Sequence, residues 1–335
     1  MDPFSQAVVG GVAGQNVSSS RKIRVAGLLA FISATLPDLD VLINSATDPL
    51  LELEYHRQFT HSIAFMPIGG LIAAVVLYYL FARAYLSFKQ TAFYCIAGYA
   101  SHGFLDACTS YGTQLLWPFS DLRIAWGVIS IIDPLFTLPL FVLIVLALIK
   151  RKPVFARAAL IFGLSYILFG AAQHHRAIAA GKELALSRGH EPGRINAKAS
   201  LGNMIVWKTV YEHDNRFYVD AVRLSIKSTI IEGESVARLD VRRDFPWLDP
   251  SSQQAQDIKR FAWFSDDFLS VDRRDKNVIV DMRYSMLPNS ADALWGIRLS
   301  PSAGSSSHVV NVNMRQATDS RSALKTLWAM VLGRY

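Results

Sequence analysis

Nearly all the long apolar runs of this chain lie before residue 175, and that uneven spread constrains its fold more than any other feature. Four runs, Ser62–Ala82, Thr91–Cys108, Ile129–Ile149 and Val154–Gln173, read as membrane spans. A fifth, Val25–Leu36, covers about 18 Å as helix and falls short of a bilayer core of about 30 Å, so it reads as a half-helix or a buried helix. The opening MDPFSQAVVGGVAGQN has no basic segment before its short, glycine-rich apolar part. It predicts a weakly amphipathic helix packed on the bundle, not a cleavable signal.

Composition agrees: hydrophobic residues make up 51% and charged residues 18% of the 335, an unusual balance for a soluble enzyme. The net charge of +7 would suit nucleic acid, but the cations sit beside the apolar runs and no basic helix stands out, so no nucleic-acid partner is expected. Arg21, Lys22, Arg24, Arg83, Lys89, Lys150, Arg151, Lys152 and Arg157 fall on one side of the expected bundle, with mainly Arg57 and Arg123 opposite. The first side is then cytoplasmic by the positive-inside tendency.

From about residue 176 the pattern changes. Residues 176–200 read as a juxtamembrane amphipathic helix and a Pro/Gly linker. Short alternating segments follow, namely MIVWKTVYE, RFYVDAVRLSI, FLSVD, NVIVDMRYSM and LWGIRLS, with HDN, EGE and DRRDKN between them as turns. The expected fold class is therefore α+β, a multi-span helical membrane bundle followed by a small antiparallel β domain. Its parts are 1–175 (helical membrane domain), 176–200 (helix and linker), 201–300 (β-rich domain) and 301–335 (loop and C-terminal helix, Ser322–Leu332).

The chemistry-bearing residues gather at one end of this bundle. His102 and Asp106 stand four apart in SHGFLDACTSYGTQLLWPFSD, one above the other if the segment is helical. Asp38 and Asp40 follow Pro37, and His56 and His61 sit in HRQFTHS beside Arg57. Asp133 precedes Pro134, where an N-cap is the simplest account. His174 and His175 end a span but, being adjacent, face different ways. With only Cys95 and Cys108 available there is neither a disulfide framework nor a thiolate metal site, and no GxSxG, HExxH or phosphate-binding glycine loop occurs. Carboxylates and imidazoles without thiolate suit zinc, or a pair of manganese or iron ions.

LPDLD, HRQFTHS, SHGFLDACTSYGTQLLWPFSD and SIIDPLFTLP together resemble, in order, the YdjM-like family of inner-membrane proteins regarded as metal-dependent hydrolases. SLGNMIVWKTVYEHDNRFYVDAVRL and IKRFAWFSDDFLSVD look like that family's C-terminal domain, which extends the resemblance to roughly residue 300. Carried over, the family's polar positions fall on Asp38, Asp40, His56, Arg57, His61, His102, Asp106 and Asp133, with Thr60, Ser62 and Ser101 beside the histidines. The resemblance implies a distant similarity to zinc-dependent phospholipase C.

These readings converge on an expected multi-pass protein of a bacterial inner membrane, with its site and C-terminal domain on the non-cytoplasmic side. It would hydrolyse a phosphoester of a membrane lipid or lipid-linked substrate with a metal-activated water. Asp38, Asp40, His56, His61, His102 and Asp106 would bind a divalent metal, foremost zinc, and no other cofactor is expected. Asp40 or Asp133 would serve as general base, Arg57 would bind the phosphate, and Tyr111, Gln114 and Trp117 would line the mouth. The rival expectation is a non-catalytic scaffold or a metal or proton transporter, whose ionisable groups should lie near the bilayer midplane.

Overall fold

Glycine lets the first helices meet backbone to backbone. The computed structural model describes residues 1–315 and 320–335. Helix α1 (Pro3–Asn16) opens with Asp2, whose carboxylate accepts from the Ser5 N–H, and with proline in its first turn. Beside it runs α2 (Ile23–Ser33). A Cβ on Gly10 would come 2.3 Å from Ala34 Cβ, and one on Gly14 would come 2.4 Å from Ala30 Cβ. This four-residue spacing of glycines is the small-residue contact by which apolar helices approach closely.

After the single turn α3 (Leu51–Tyr55) come α4 (Met66–Leu80) and α5 (Phe88–Ala107), the latter started by a reciprocal cap between Ser87 and Gln90. Gly98 of α5 also abuts α2, where a Cβ would sit 2.2 Å from the Ala30 carbonyl oxygen. Helix α6 (Pro134–Lys150) is capped by Asp133, and the 35-residue α7 (Pro153–Ser187) runs on past His174 and His175 without a break.

The chain divides into two compact units. The first comprises residues 1–42, 55–172 and 201–203 and holds α1, α2 and α4 to α6. Among the described residues two helical segments are long and apolar enough to cross a membrane, Ile23–Leu42 and Pro153–Ser187. A third counts if Leu51–His61 and Met66–Leu80, bent by 83° at their junction, form one broken span. The multi-span bundle expected from the sequence is thus reduced to two or three candidate spans. Helix α4 has 15 residues and α6 has 17, about 23 and 26 Å of rise against a core of about 30 Å. Helix α5 is long enough, but Lys89, Gln90, Thr91, His102 and Asp106 dilute its apolar character. In the other direction, Val25–Leu36 gains length because a 3₁₀ turn, Pro37–Leu42, continues it.

The second unit comprises residues 43–54, 173–200 and 204–335. Strands β1 (Arg194–Ala199), β2 (Val206–His213), β3 (Arg216–Leu224) and β4 (Ser228–Ala237) form one antiparallel sheet in that order. The short helices α8 (Val241–Asp244) and α9 (Gln253–Phe264) follow. A second antiparallel sheet orders β5 (Leu269–Val271), β6 (Val278–Asp281), β7 (Trp295–Arg298) and β8 (Val310–Asn313), and α10 (Ser320–Leu332) closes the chain. Val210, Phe217, Val219, Phe268, Val278 and Val280 share one buried cluster drawn from both sheets. The protein is therefore α+β, as the sequence indicates.

Three details depart from the sequence reading. EGE is no turn: Gly233 lies within β4 at a bulge, where the pairing skips from Val219–Glu234 to Ala221–Ile231 and the Gly233 N–H donates to Asp220 Oδ1 at 3.0 Å. RINAKA is no linker but β1, whose Ala, Asn and Lys carry little strand signal. Gln253–Phe264 is a helix, capped by Ser252 and burying Ala255, Ile258, Phe261 and Phe264 at helical spacing.

Candidate metal centre

Asp38 and Asp40 lie in the 3₁₀ turn after α2, and His61 ends a second 3₁₀ turn, Phe59–His61. His102 and Asp106 lie one turn apart near the end of α5, as their spacing predicts. Gly103 lets that helix press against the His61 turn, since a Cβ there would come 2.5 Å from the His61 carbonyl oxygen. His61, His102 and Asp106 are fully buried, while the Asp38 side chain is 21% exposed.

The two histidines face each other, Nε2 to Nε2, at 2.9 Å. Asp38 Oδ1 lies 3.5 Å from His61 Nε2 and 3.2 Å from His102 Nε2. Asp106 Oδ2 lies 3.5 and 3.8 Å from the same two nitrogens. The far nitrogens fix the tautomers. His102 Nδ1 lies 2.6 Å from the Ala34 carbonyl oxygen, which can only accept. His61 Nδ1 lies 3.2 Å from Asp40 Oδ2 and 2.9 Å from Thr60 Oγ1, whose own hydroxyl donates to Asp40 at 2.6 Å. Both imidazoles therefore carry a proton on Nδ1, so that in their neutral forms the lone pairs of both Nε2 atoms aim at one point.

Two Nε2 atoms and two carboxylate oxygens converging on one buried spot call for positive charge among them, which a proton shared between the imidazoles or a metal cation would supply. Asp106 Oδ2 carries the same message, being buried and without a hydrogen-bond partner among the described residues. Arg57 Nε lies 2.9 Å from it, a charge contact without hydrogen-bond alignment. The donor set of two imidazoles and two carboxylates fits a divalent metal, and the four ligand atoms lie within 4.8 Å of one another. A second group, Asp38, Asp40 and His56, meets the same distance test and shares Asp38 with the first. In it His56 Nδ1 lies 2.7 Å from Asp40 Oδ1, and the His56 side chain is 29% exposed.

Arg57 closes one wall. Its backbone is left-handed (φ 67°), its N–H donates to Asp40 Oδ2 at 3.0 Å, and its Nη1 donates to Thr109 Oγ1 at 3.1 Å. The guanidinium lies 5.1 Å from the centre of the Tyr111 ring. The Gln114 N–H donates to the Arg57 carbonyl at 2.9 Å, and the Trp117 ring lies 6.0 Å from that of Phe59. Ser62 and Ser101 turn their hydroxyls back onto the Phe59 and Gly98 carbonyls.

Asp133 belongs to neither group. It caps α6 by accepting from the Leu135 and Phe136 N–H groups, and the Tyr166 hydroxyl lies 2.9 and 3.0 Å from its two oxygens. His174 and His175 also lie outside both groups, His174 with its ring 5.8 Å from that of Trp207. Two contributors escape the sequence reading. The Ala34 carbonyl has no residue-type signature. Gln6, which donates to Asp106 Oδ1 at 2.7 Å beside the Met1 ammonium, had one faint signal: it is an amide followed by eight residues that are all apolar or small.

The model of the YdjM inner membrane protein family matches residues 1–177, more than half of the chain and every residue of the centre. The match ends before β1, so it does not include the segments between 178 and 300 that resemble a family C-terminal domain. An uncharacterised protein of Bacillus subtilis (strain 168), YfhP, is 28% identical over 123 residues, or 37% of this chain and 36% of that relative. The chain thus spans about a third of the length of the relative it matches. No solved structure matches. With its first half matched throughout, the chain belongs to the YdjM family of inner membrane proteins.

Proposed function

We propose that this protein is a membrane metallohydrolase that cleaves a phosphoester of a lipid or lipid-linked substrate. The observation that carries the reading is the convergence of Asp106 Oδ2, which has the Arg57 charge beside it but no hydrogen bond among the described residues, with two imidazole Nε2 atoms and the Asp38 carboxylate. His61, His102, Asp38 and Asp106 would hold the metal, with zinc favoured by the nitrogen and oxygen donors. Such a metal polarises a phosphoryl oxygen and makes a bound water acidic enough to attack at neutral pH.

The chain's own groups do the rest. Asp40 holds His61 in its ligand tautomer and also orients His56, whose exposed ring is the group best placed to accept a proton from water and release it to solvent. Asp40 and His56 would instead complete a second metal site with Asp38 if two ions are held. Arg57, positioned by Thr109 and Tyr111, would bind a phosphate oxygen that approaches Asp106.

The test is elemental analysis of the detergent-purified protein together with a phosphodiester assay on phospholipid and on a chromogenic diester. One divalent ion or two per chain are expected. The pair His102→Ala plus Asp106→Ala should remove the metal and the activity together. Unchanged metal content in that double variant sinks the centre, and full metal with no turnover on any phosphoester sinks the hydrolase.

A further inference from the structure

Helix α10 has two apolar faces, and one of them is turned outward. Ala323, Leu327, Met330 and Val331 are buried, the last three in one cluster with Val206, Ala221 and Ile231. On the other side Leu324, Trp328 and Leu332, four residues apart, are 38, 55 and 56% exposed. Arg321, Lys325 and Arg334 flank that stripe and are exposed, and no acidic residue occurs from Ser320 to Tyr335. Exposed apolar side chains rimmed by charge mark a contact surface. Cations around a leucine and tryptophan stripe match an anionic, apolar partner, which is the composition of a bilayer surface rich in acidic headgroups.

We propose that α10 docks on anionic membrane lipid, with Trp328, Leu324 and Leu332 entering the headgroup boundary and Arg321, Lys325 and Arg334 meeting lipid phosphates. The second unit is covalently joined to the apolar helices through α7, so a bilayer is always present at high effective concentration. The weak binding typical of a single interfacial helix is then enough. Neither the metal centre nor any catalytic activity enters this inference, so it stands or falls separately.

The experiment uses the full chain in lipid nanodiscs of phosphatidylcholine, with and without phosphatidylglycerol, whose acyl chains are brominated or plain. Bromine quenches tryptophan only on contact. Comparing the wild type with Trp328→Phe isolates one of the seven tryptophans. Trp328 is exposed and the change conservative, so the fold is kept. In discs with phosphatidylglycerol, bromination should abolish the emission that distinguishes wild type from Trp328→Phe. High salt, or Arg321→Gln with Lys325→Gln and Arg334→Gln, should restore it. Three outcomes overturn the proposal. They are an unquenched Trp328, equal quenching in phosphatidylcholine alone, and wild-type discs with paired copies that Trp328→Phe separates, which would make the face a self-association surface.

Discussion

Asp40 ties four groups of the centre together from outside the set of four candidate ligands. One oxygen accepts from the Arg57 N–H and Thr60 Oγ1 and faces His61, while the other faces His56. Asp40→Asn keeps the shape but weakens the anchor that holds His61 in the ligand tautomer. Metal affinity should fall by about 10- to 100-fold, the usual cost of losing such an outer partner, in a chelator competition titration. An unchanged affinity would mean that His61 is oriented by Thr60 alone. At this scale the sequence was legible where the ligands are side chains in regular spacing, as with His102 and Asp106. It was silent on the Ala34 carbonyl, since any residue supplies one, and on Gln6, which lies 100 positions from the carboxylate it meets.

Among the elements, the three-way contact of α1, α2 and α5 carries the most risk. Gly14 and Gly98 touch backbone atoms of Ala26 and Ala30, and backbone cannot rotate aside as a side chain can. Gly98→Ala should therefore cost about 1–3 kcal/mol, the range for overpacking, and lower the thermal unfolding midpoint in detergent. Because α5 carries His102 and Asp106, metal content should fall with it; a variant as stable as wild type would show that the helices can part without penalty. Element types were largely readable. Asp214 and Asn215 join β2 to β3 with φ of 47° and 55°, as HDN between alternating runs suggests. The misreading of EGE has a local cause: glycine inside a strand looks like a turn until the bulge is seen.

In the molecule as a whole, the strained part of the charge balance lies in the second unit. Lys198 and Lys208 stand directly opposite each other on β1 and β2, and both are buried. Lys208 donates to Ser285 Oγ at 2.6 Å and to the Ser290 carbonyl at 2.9 Å, whereas Lys198 Nζ has no hydrogen-bond partner among the described residues and lies over the Tyr284 ring. Burial holds the Lys198 amine well below the usual lysine range, with Arg283 adding to the effect. Lys198→Met should raise stability by roughly 1–3 kcal/mol, the cost of an unsatisfied buried polar group, read as a higher unfolding midpoint; a lower one would reveal a partner for that amine. Burial pushes Lys208 down to about 7 from an ordinary 10.5. Between those values the unfolded chain binds a proton that the fold does not, so stability should climb as pH rises across that window. Lys208→Met should flatten the climb in unfolding measured over the same range.

Asp38 is the residue common to both candidate clusters, and sharing has a thermodynamic consequence. Two sites that draw on one carboxylate cannot have independent dissociation constants, because occupancy of either changes the charge and the rotamer offered to the other. The coupling is reciprocal, so whichever cluster fills first sets the apparent affinity of its neighbour. Stepwise metal titration of wild type against Asp38→Asn would show that coupling as two unequal binding steps.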